Sequence, residues 1–169
     1  SRAVAALRAA GATPLLANAS HLAEQVVEAG RQLGVEVVVE ADGPFGTAGG
    51  LAHARARLDA AAVAVWNGDI LAEVDVAALH GLLLRTGAVA ALAVRGHEPV
   101  GQGNVGLSAD GRVVRMRQQS FGVEARGAFF AAVQVLDRSL VQRAPARGCL
   151  VGDVLIPALA EGALVVAAD

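Results

Sequence analysis

The chain has 169 residues, 54% of them hydrophobic, and a formal net charge of -2 from 14 basic and 16 acidic residues. This composition is typical of one folded domain with a substantial core. The balanced charge and scarce aromatic residues argue against nucleic acid as a partner. A single cysteine excludes an internal disulfide framework and favours a cytoplasmic location. The longest apolar runs, residues 60–66 and 88–94, are far shorter than the roughly 20 residues of a membrane span, so we expect no membrane association.

The first half of the chain alternates between helical and strand patterns. We predict helices over residues 1–10, 21–29, 48–58 and 74–84, and strands over residues 14–18, 35–39, 61–66 and 88–94. Ser20 is the predicted N-cap of the second helix. Such alternation is typical of a parallel sheet covered by helices. The predicted fold class is therefore α/β, a Rossmann-like three-layer sandwich with a mostly parallel central sheet.

The second half is richer in strands. Asp110-Gly111 separates two short apolar runs, which is a strong hairpin signal. We predict further strands over residues 104–107, 112–116, 128–136 and 163–167, and a helix over residues 150–160. No repeat or linker divides the chain. The sequence therefore predicts a single domain over residues 1–169, with a small β-rich insertion.

A glycine cluster follows the strand predicted at residues 35–39 and opens the next helix. Gly46, Gly49 and Gly50 lie within five residues, which indicates backbone that either turns sharply or approaches a ligand closely. The N-terminus of a helix offers free N–H groups that suit an anion or a base edge. All 14 basic residues are arginines, so a lysine-containing Walker A loop is excluded. A ligand contact and a structural turn remain equal alternatives at this point.

Asp69 ends the stretch Asn67-Gly68-Asp69, directly after the strand predicted at residues 61–66. Open α/β sheets bind their ligands at the carboxyl ends of strands. A carboxylate in that position can hold Mg²⁺ together with phosphate groups. The competing interpretation is an aspartate that caps a helix or closes a turn.

Three ordered stretches carry a family resemblance: NASHL at residues 18–22, FGTAGGL at residues 45–51 and VWNGDI at residues 65–70. In this order and at these separations they resemble the sugar-phosphate nucleotidyltransferase family, in particular its mannose-1-phosphate guanylyltransferase-like members. The hairpin at residues 104–113, the strand at 130–136 and the segment at 149–157 agree with that pattern. The resemblance therefore covers nearly the whole chain.

The resemblance implies an enzyme of nucleotide-sugar biosynthesis. It would join a nucleoside triphosphate and a sugar 1-phosphate, with Mg²⁺ as cofactor, to give a nucleotide sugar and pyrophosphate. Asp69 would hold the metal ion. The protein could be a monomer or a homo-oligomer, and the sequence leaves both open. The resemblance implies nucleotide contacts at Gly46, Thr47, Ala48, Gly49, Gly50, Asn67 and Gly68, and sugar contacts at Gly103, Asn104 and Gln118.

The chain also departs from the family pattern. Residues 1–169 do not contain the family's first strand, its glycine-rich phosphate loop with the catalytic arginine and lysine, or its second metal-binding aspartate. We therefore expect a domain truncated at both ends, with its catalytic residues unassigned. Gln118-Gln119 stands where the family commonly has Glu-Lys, and Ala132 stands where it has a glycine. These departures support a second hypothesis, a catalytically inactive homologue that binds nucleotide or serves as a regulatory or assembly subunit.

Overall fold

The computed structural model describes residues 1–169 in full. The α-helices are α1 (Arg2–Ala9), α2 (Ala23–Leu33), α3 (Gly46–Ala54), α4 (Val76–Thr86), α5 (Arg138–Arg143) and α6 (Ile156–Ala160). The strands are β1 (Leu16–Ala19), β2 (Glu36–Val39), β3 (Ala62–Trp66), β4 (Ala90–Glu98), β5 (Val105–Leu107), β6 (Val113–Met116), β7 (Gln119–Ser120), β8 (Arg126–Asp137) and β9 (Val165–Ala168). A 3₁₀ turn (Arg55–Arg57) follows α3, and a π-helical segment (Val151–Leu155) leads into α6.

The main sheet has seven strands and mixed directions. Its long strand β8 pairs antiparallel with β4 along one edge, and with β5 and then β3 along the other. The hairpin strands β5, β6 and β7 are also antiparallel to their neighbours. Only β4 and β9 form a parallel pair in this sheet, while β1 and β2 form a separate two-stranded parallel sheet.

The predicted mostly parallel Rossmann-like sandwich is therefore wrong: the fold is α/β with a mixed, mostly antiparallel sheet. The reason lies in how the chain reaches β8. It arrives through the strands β5, β6 and β7 rather than through a crossover helix, and such connections produce antiparallel pairs. β8 then lies between β3 and β4, which the regular alternation of the first half would have made neighbours.

Apolar clusters cover both faces of the main sheet. One cluster includes Leu51 of α3 and Leu140 of α5, and the other includes Leu79 and Leu83 of α4. β3 therefore has helices above and below it, which explains its unbroken apolar sequence. No helix in the structure combines the length and hydrophobicity needed to cross a membrane.

Several local features differ from the sequence-based predictions. α2 begins at Ala23, and Leu22, with a left-handed φ of 50°, occupies its N-cap position, so Ser20 does not cap it. The helix α5 and the short strand β7 were not predicted. Pro157 lies at the start of α6, directly after the π-helical segment Val151–Leu155.

Candidate functional site

A cavity of about 700 Å³ lies between β1 and β3. At one end it is polar, because loops that follow the carboxyl ends of β1, β2 and β3 meet there with the first turn of α3. The remainder of its wall is mainly apolar. We call the polar end the rim, and it consists of Asn18, Ser20, Glu40, Gly46, Thr47, Gly50, Asn67, Gly68 and Asp69.

Buried Glu40 holds two parts of the rim together through hydrogen bonds. Its side chain is only 3% exposed. One carboxylate oxygen accepts a hydrogen bond from the Asn18 side-chain amide at 2.8 Å, and the other accepts one from the Phe45 backbone N–H at 2.9 Å. Glu40 thus joins the end of β1 to the loop before α3. Glu40 is not among the predicted site residues. The sequence feature that could have indicated it is a single acidic residue directly after the apolar run of β2.

The glycine cluster is packed against other parts of the protein. Gly46 has a left-handed φ of 76°, and a Cβ at this position would collide with the backbone carbonyl of Gly148. That same carbonyl accepts a hydrogen bond from Ala48 N–H at 3.1 Å. A Cβ on Gly50 would lie 2.6 Å from the Asn18 side-chain nitrogen. A left-handed turn at Gly46 and close packing at Gly50 require glycine at these positions, and both residues also line the cavity.

Phe45 anchors the turn through its ring. The ring stacks on His53 with centroids 4.3 Å apart, and the Arg147 guanidinium lies 4.5 Å from its centroid. Arg147 also donates a hydrogen bond to the Asp42 carbonyl at 3.2 Å. These contacts tie the start of α3 to the loop before α6, so the rim residues of α3 are held from two sides.

Asp69 lies at the end of a closed turn beside the cavity. Ile70 N–H donates to the Asn67 carbonyl at 3.0 Å, and the Trp66 indole N–H donates to the Ile70 carbonyl at 3.1 Å. The Asp69 side chain is exposed and lines the cavity. It does not cap α4, because Asp75 fills that role by accepting a hydrogen bond from Ala78 N–H at 2.9 Å.

The structure brings together most of the residues predicted to contact a nucleotide. Ala48 and Gly49 are buried behind the cavity wall. The predicted sugar-binding residues Gly103, Asn104 and Gln118 lie outside the cavity lining, around the start of β5 and the β6–β7 turn. Six of the residues predicted to bind nucleotide or metal line the cavity: Gly46, Thr47, Gly50, Asn67, Gly68 and Asp69.

Asn104 has a structural role in this arrangement. Its side-chain oxygen accepts a hydrogen bond from Phe130 N–H of β8 at 2.8 Å, and its own N–H donates to the Ala128 carbonyl at 3.0 Å. Val133, three residues beyond Phe130 along β8, pairs with Trp66 at the end of β3. β8 is bulged between these two positions, because the four-residue step from Phe130 to Gln134 lies opposite the two-residue step from Leu92 to Val94 on β4.

A largely buried ion pair supports the loop that carries Gly103 and Asn104. The Arg115 guanidinium donates to the Glu124 carboxylate at 2.7 Å and also to the Gln102 and Gly103 carbonyls at 2.7 and 3.2 Å. Both side chains are about nine-tenths covered, at 11% and 9% exposed. The hydrogen bond from Arg115 is the main cause that holds the pKa of Glu124 below its ordinary value, and a hydrogen bond from Gly101 N–H contributes.

The protein's own side chains do not form a complete metal site. No three His, Cys, Asp or Glu residues are grouped closely enough to hold an ion. Asp69 is the exposed carboxylate at the rim, since Glu40 is committed to its two hydrogen bonds. Mg²⁺ is often bound through one or two carboxylates together with substrate phosphates. The residues present therefore fit a shared site that phosphate oxygens would complete.

No protein-family model and no curated protein sequence matches the chain. Among solved structures, HddC from Yersinia pseudotuberculosis complexed with GMP-PN superposes with a TM-score of 0.74 over 99% of this chain and 74% of the HddC chain. The chain shares the HddC fold. A second structure of HddC gives a TM-score of 0.73 over the same shares, and the sequence identity to both is 16%. At that identity the similarity to HddC establishes the fold alone.

Proposed function

We propose that this protein binds a nucleoside triphosphate at the rim and joins its nucleotidyl group to a sugar 1-phosphate. The observation that carries the proposal is the convergence of the α3 N-terminus, the Asn67–Gly68 backbone and the Asp69 carboxylate on one end of a cavity. Backbone N–H groups at a helix N-terminus suit an anion or a base edge. The GMP-PN complex of HddC, which has the same fold, supports a nucleotide as the ligand.

The proposal assigns a part of the substrates to each group of residues. The base and ribose would lie against Gly46, Thr47 and Gly50, and Asn67 and Gly68 would border them. Asp69 would share Mg²⁺ with the phosphates, and the ion would neutralise phosphate charge. Gly103, Asn104 and Gln118 would meet the sugar further along β8, where Asn104 is bonded to Phe130.

The chemistry would depend mainly on positioning and on charge neutralisation. An oxygen of the sugar 1-phosphate attacks the α-phosphorus of the triphosphate, the new phosphoanhydride bond forms, and pyrophosphate leaves with the bonding electrons. The nucleophile is already an anion, so no protein side chain has to activate it. What the protein must supply is alignment and a compensating positive field.

One observation favours the second hypothesis, a nucleotide-binding subunit without catalysis. The cavity lining contains no arginine, and its ionisable groups are the carboxylates of Glu40 and Asp69 and the imidazole of His80. A triphosphate confined to the cavity would contact no guanidinium of the lining. Binding and turnover therefore have to be measured separately.

The test is calorimetric titration with a panel of nucleoside triphosphates, with and without Mg²⁺, followed by a pyrophosphate-release assay with sugar 1-phosphates. We expect Asp69→Asn to lower the affinity at least tenfold in Mg²⁺ and to change it little without Mg²⁺. Glu73→Gln is the matched control, because Glu73 is exposed, four residues away and outside the cavity lining. Pyrophosphate release would establish the transferase, and binding without release would establish the inactive subunit. Equal titration curves for Asp69→Asn and the parent would contradict the metal assignment, and absence of binding by every nucleotide would overturn the proposal.

A further inference from the structure

The proposed reaction brings together two substrates that both carry phosphate groups. Reacting phosphates are stabilised by positive charge that the protein and its metal ion supply. The cavity lining contains no arginine, and its acidic side chains are those of Glu40 and Asp69. A protein cation that meets the sugar phosphate therefore has to lie outside the lining, on the side of the predicted sugar-binding residues Gly103, Asn104 and Gln118.

Three arginines on and beside β6 differ in their partners. Arg112 forms an ion pair with Asp110 at 2.7 Å, and Arg115 forms one with Glu124 at 2.7 Å. Arg117, in the turn between β6 and β7, is exposed and belongs to none of the protein's ion pairs. Its positive charge is therefore not offset by a neighbouring carboxylate.

The Arg117 guanidinium keeps most of its hydrogen-bonding capacity. Its Nη2 donates a hydrogen bond to the Cys149 sulfur at 3.2 Å, and a thiol is a weak acceptor. The acid of this region, Asp153, accepts a hydrogen bond from Cys149 N–H at 2.7 Å instead of pairing with Arg117. A Cβ on Gly152 would lie 3.5 Å from Nη1, so the glycine leaves that side of the guanidinium uncovered. Such a group is suited to a bidentate contact with phosphate.

The backbone of Arg117 is fixed to the loop that carries Gly103 and Asn104. Its N–H donates to the Asn104 carbonyl at 2.8 Å, and its carbonyl accepts a hydrogen bond from Arg115 Nη1 at 3.0 Å. The φ of Arg117 is 56°, in the left-handed region that residues with a Cβ disfavour. Residues held in this region are concentrated at functional sites. In Arg117 the side chain leaves the strained turn towards Cys149.

Contacts of the guanidinium lead from the predicted sugar subsite to the rim. Cys149, which Arg117 contacts, follows Gly148 in the loop after α5. The Gly148 carbonyl accepts a hydrogen bond from Ala48 N–H at 3.1 Å, and Gly148 N–H donates to the Phe45 carbonyl at 2.8 Å. This loop thus joins Arg117 to the first turn of α3. The phosphate of a sugar 1-phosphate has to lie along the same path, because it attacks a triphosphate bound at the rim.

We propose that the Arg117 guanidinium binds the phosphate of the sugar 1-phosphate and holds its attacking oxygen towards the rim. Two parallel N–H donors would meet two phosphate oxygens, and the charge of Arg117 would offset that of the phosphate. Gln118 and Gln119 beside it are neutral amides, which suit the hydroxyl groups of an uncharged sugar. The inference rests on the proposed function and adds to it a substrate-binding residue that the sequence did not indicate.

The first test follows the arginine Nε–H signals by NMR while α-mannose 1-phosphate or α-glucose 1-phosphate is added to the full 169-residue chain. The Arg117 signal is the one that disappears in Arg117→Gln, and we expect a sugar 1-phosphate to shift it in the parent. Calorimetry should show an affinity at least about tenfold lower in Arg117→Gln. Arg117→Lys should recover part of the loss, because it restores the charge without the planar fork. Arg112→Gln is the matched control, since it removes the same charge beside the other end of β6 and should leave the affinity unchanged.

The same variants separate this inference from the proposed function. Arg117→Gln should bind the nucleoside triphosphate as tightly as the parent, and in the pyrophosphate-release assay only its KM for the sugar 1-phosphate should rise. If the parent binds both substrates and Arg117→Gln binds the sugar 1-phosphate equally well, the assignment of Arg117 is wrong and the proposed function stands. An equal loss in Arg112→Gln, or an Arg117 signal that no sugar 1-phosphate shifts, would also overturn the assignment. If the parent binds neither substrate, the proposed function and this inference both fail.

Discussion

Asn18 and Glu40 join the ends of the neighbouring strands β1 and β2 through a hydrogen bond of 2.8 Å between their side chains. The second Glu40 oxygen holds the Phe45 N–H, so one buried carboxylate connects β1, β2 and the start of α3. The position of the rim therefore depends on Glu40.

Replacement of Glu40 by alanine should destabilise the protein. The Asn18 amide and the Phe45 N–H would lose their acceptor in a place with little access to water, which costs about 1–3 kcal/mol per unsatisfied group. We expect urea unfolding to give a free energy lower by about 2–4 kcal/mol. Glu36→Ala, at the first residue of β2, is the control, since its exposed ion pair with Arg57 contributes about 1 kcal/mol or less. Similar losses for the two variants would contradict the role of Glu40.

Gly46 and Gly68 both line the cavity but differ in their surroundings. Gly46→Ala would place a Cβ against the Gly148 carbonyl at a left-handed φ of 76°, whereas a Cβ on Gly68 meets nothing within 4 Å. We expect Gly46→Ala to lower the free energy of unfolding by at least about 2 kcal/mol and Gly68→Ala to change it by less than about 0.5 kcal/mol. Thermal and urea unfolding of both variants provide the measurement, and an equally stable Gly46→Ala variant would show that the turn is not packed as described.

Ala132 has a left-handed φ of 55° within β8, and its carbonyl accepts a hydrogen bond from Asn67 at the rim. A non-glycine residue in this conformation is strained by about 1–2 kcal/mol. Ala132→Gly should therefore raise the free energy of unfolding by about 0.5–1 kcal/mol, after the entropic cost of the glycine. Ala131→Gly, one position earlier on the same strand, should lower it by a similar amount. A loss of stability in both variants would show that Ala132 is not strained.

The Arg115–Glu124 ion pair should give the protein a sensitivity to acid. The pKa of Glu124 is lowered in the folded state, so its stabilising contribution is present above the ordinary glutamate pKa and is lost as the pH falls through the lowered value. We expect the free energy of unfolding to fall below about pH 5 in the parent and to fall less steeply in Glu124→Gln.

At pH 7 the same Glu124→Gln variant should be less stable by about 2–3 kcal/mol, because the Arg115 guanidinium would lose its charged partner. Glu161→Gln serves as the control, since the Glu161 side chain is 59% exposed in its ion pair with Arg143 and should contribute little to stability at that pH. Parallel pH profiles of the parent and Glu124→Gln, from urea unfolding at each pH, would rule out Glu124 as the source of the acid sensitivity.

The sequence by itself determined the elements whose patterns are local. The apolar run at residues 61–66 predicts a buried strand because nearly every side chain in it is hydrophobic, and β3 occupies Ala62–Trp66. The glycine cluster predicts a turn before a helix because glycine adopts a left-handed φ without strain, as Gly46 does. The placement of Asn67 and Asp69 after β3 follows from the same local pattern.

Only the tertiary structure decided how these elements combine. The direction of the sheet depends on β8, whose partners β3 and β4 lie far away in the chain, and a local pattern carries no information about the direction of a distant neighbour. The role of Glu40 could not be predicted either, because a buried and an exposed glutamate have the same appearance in a sequence. Only the fold places Asn18 and Phe45 within hydrogen-bond distance of it. The separation of β1 and β2 from the seven-stranded sheet was also decided only by the fold, since strand pairing joins residues that are distant in the chain.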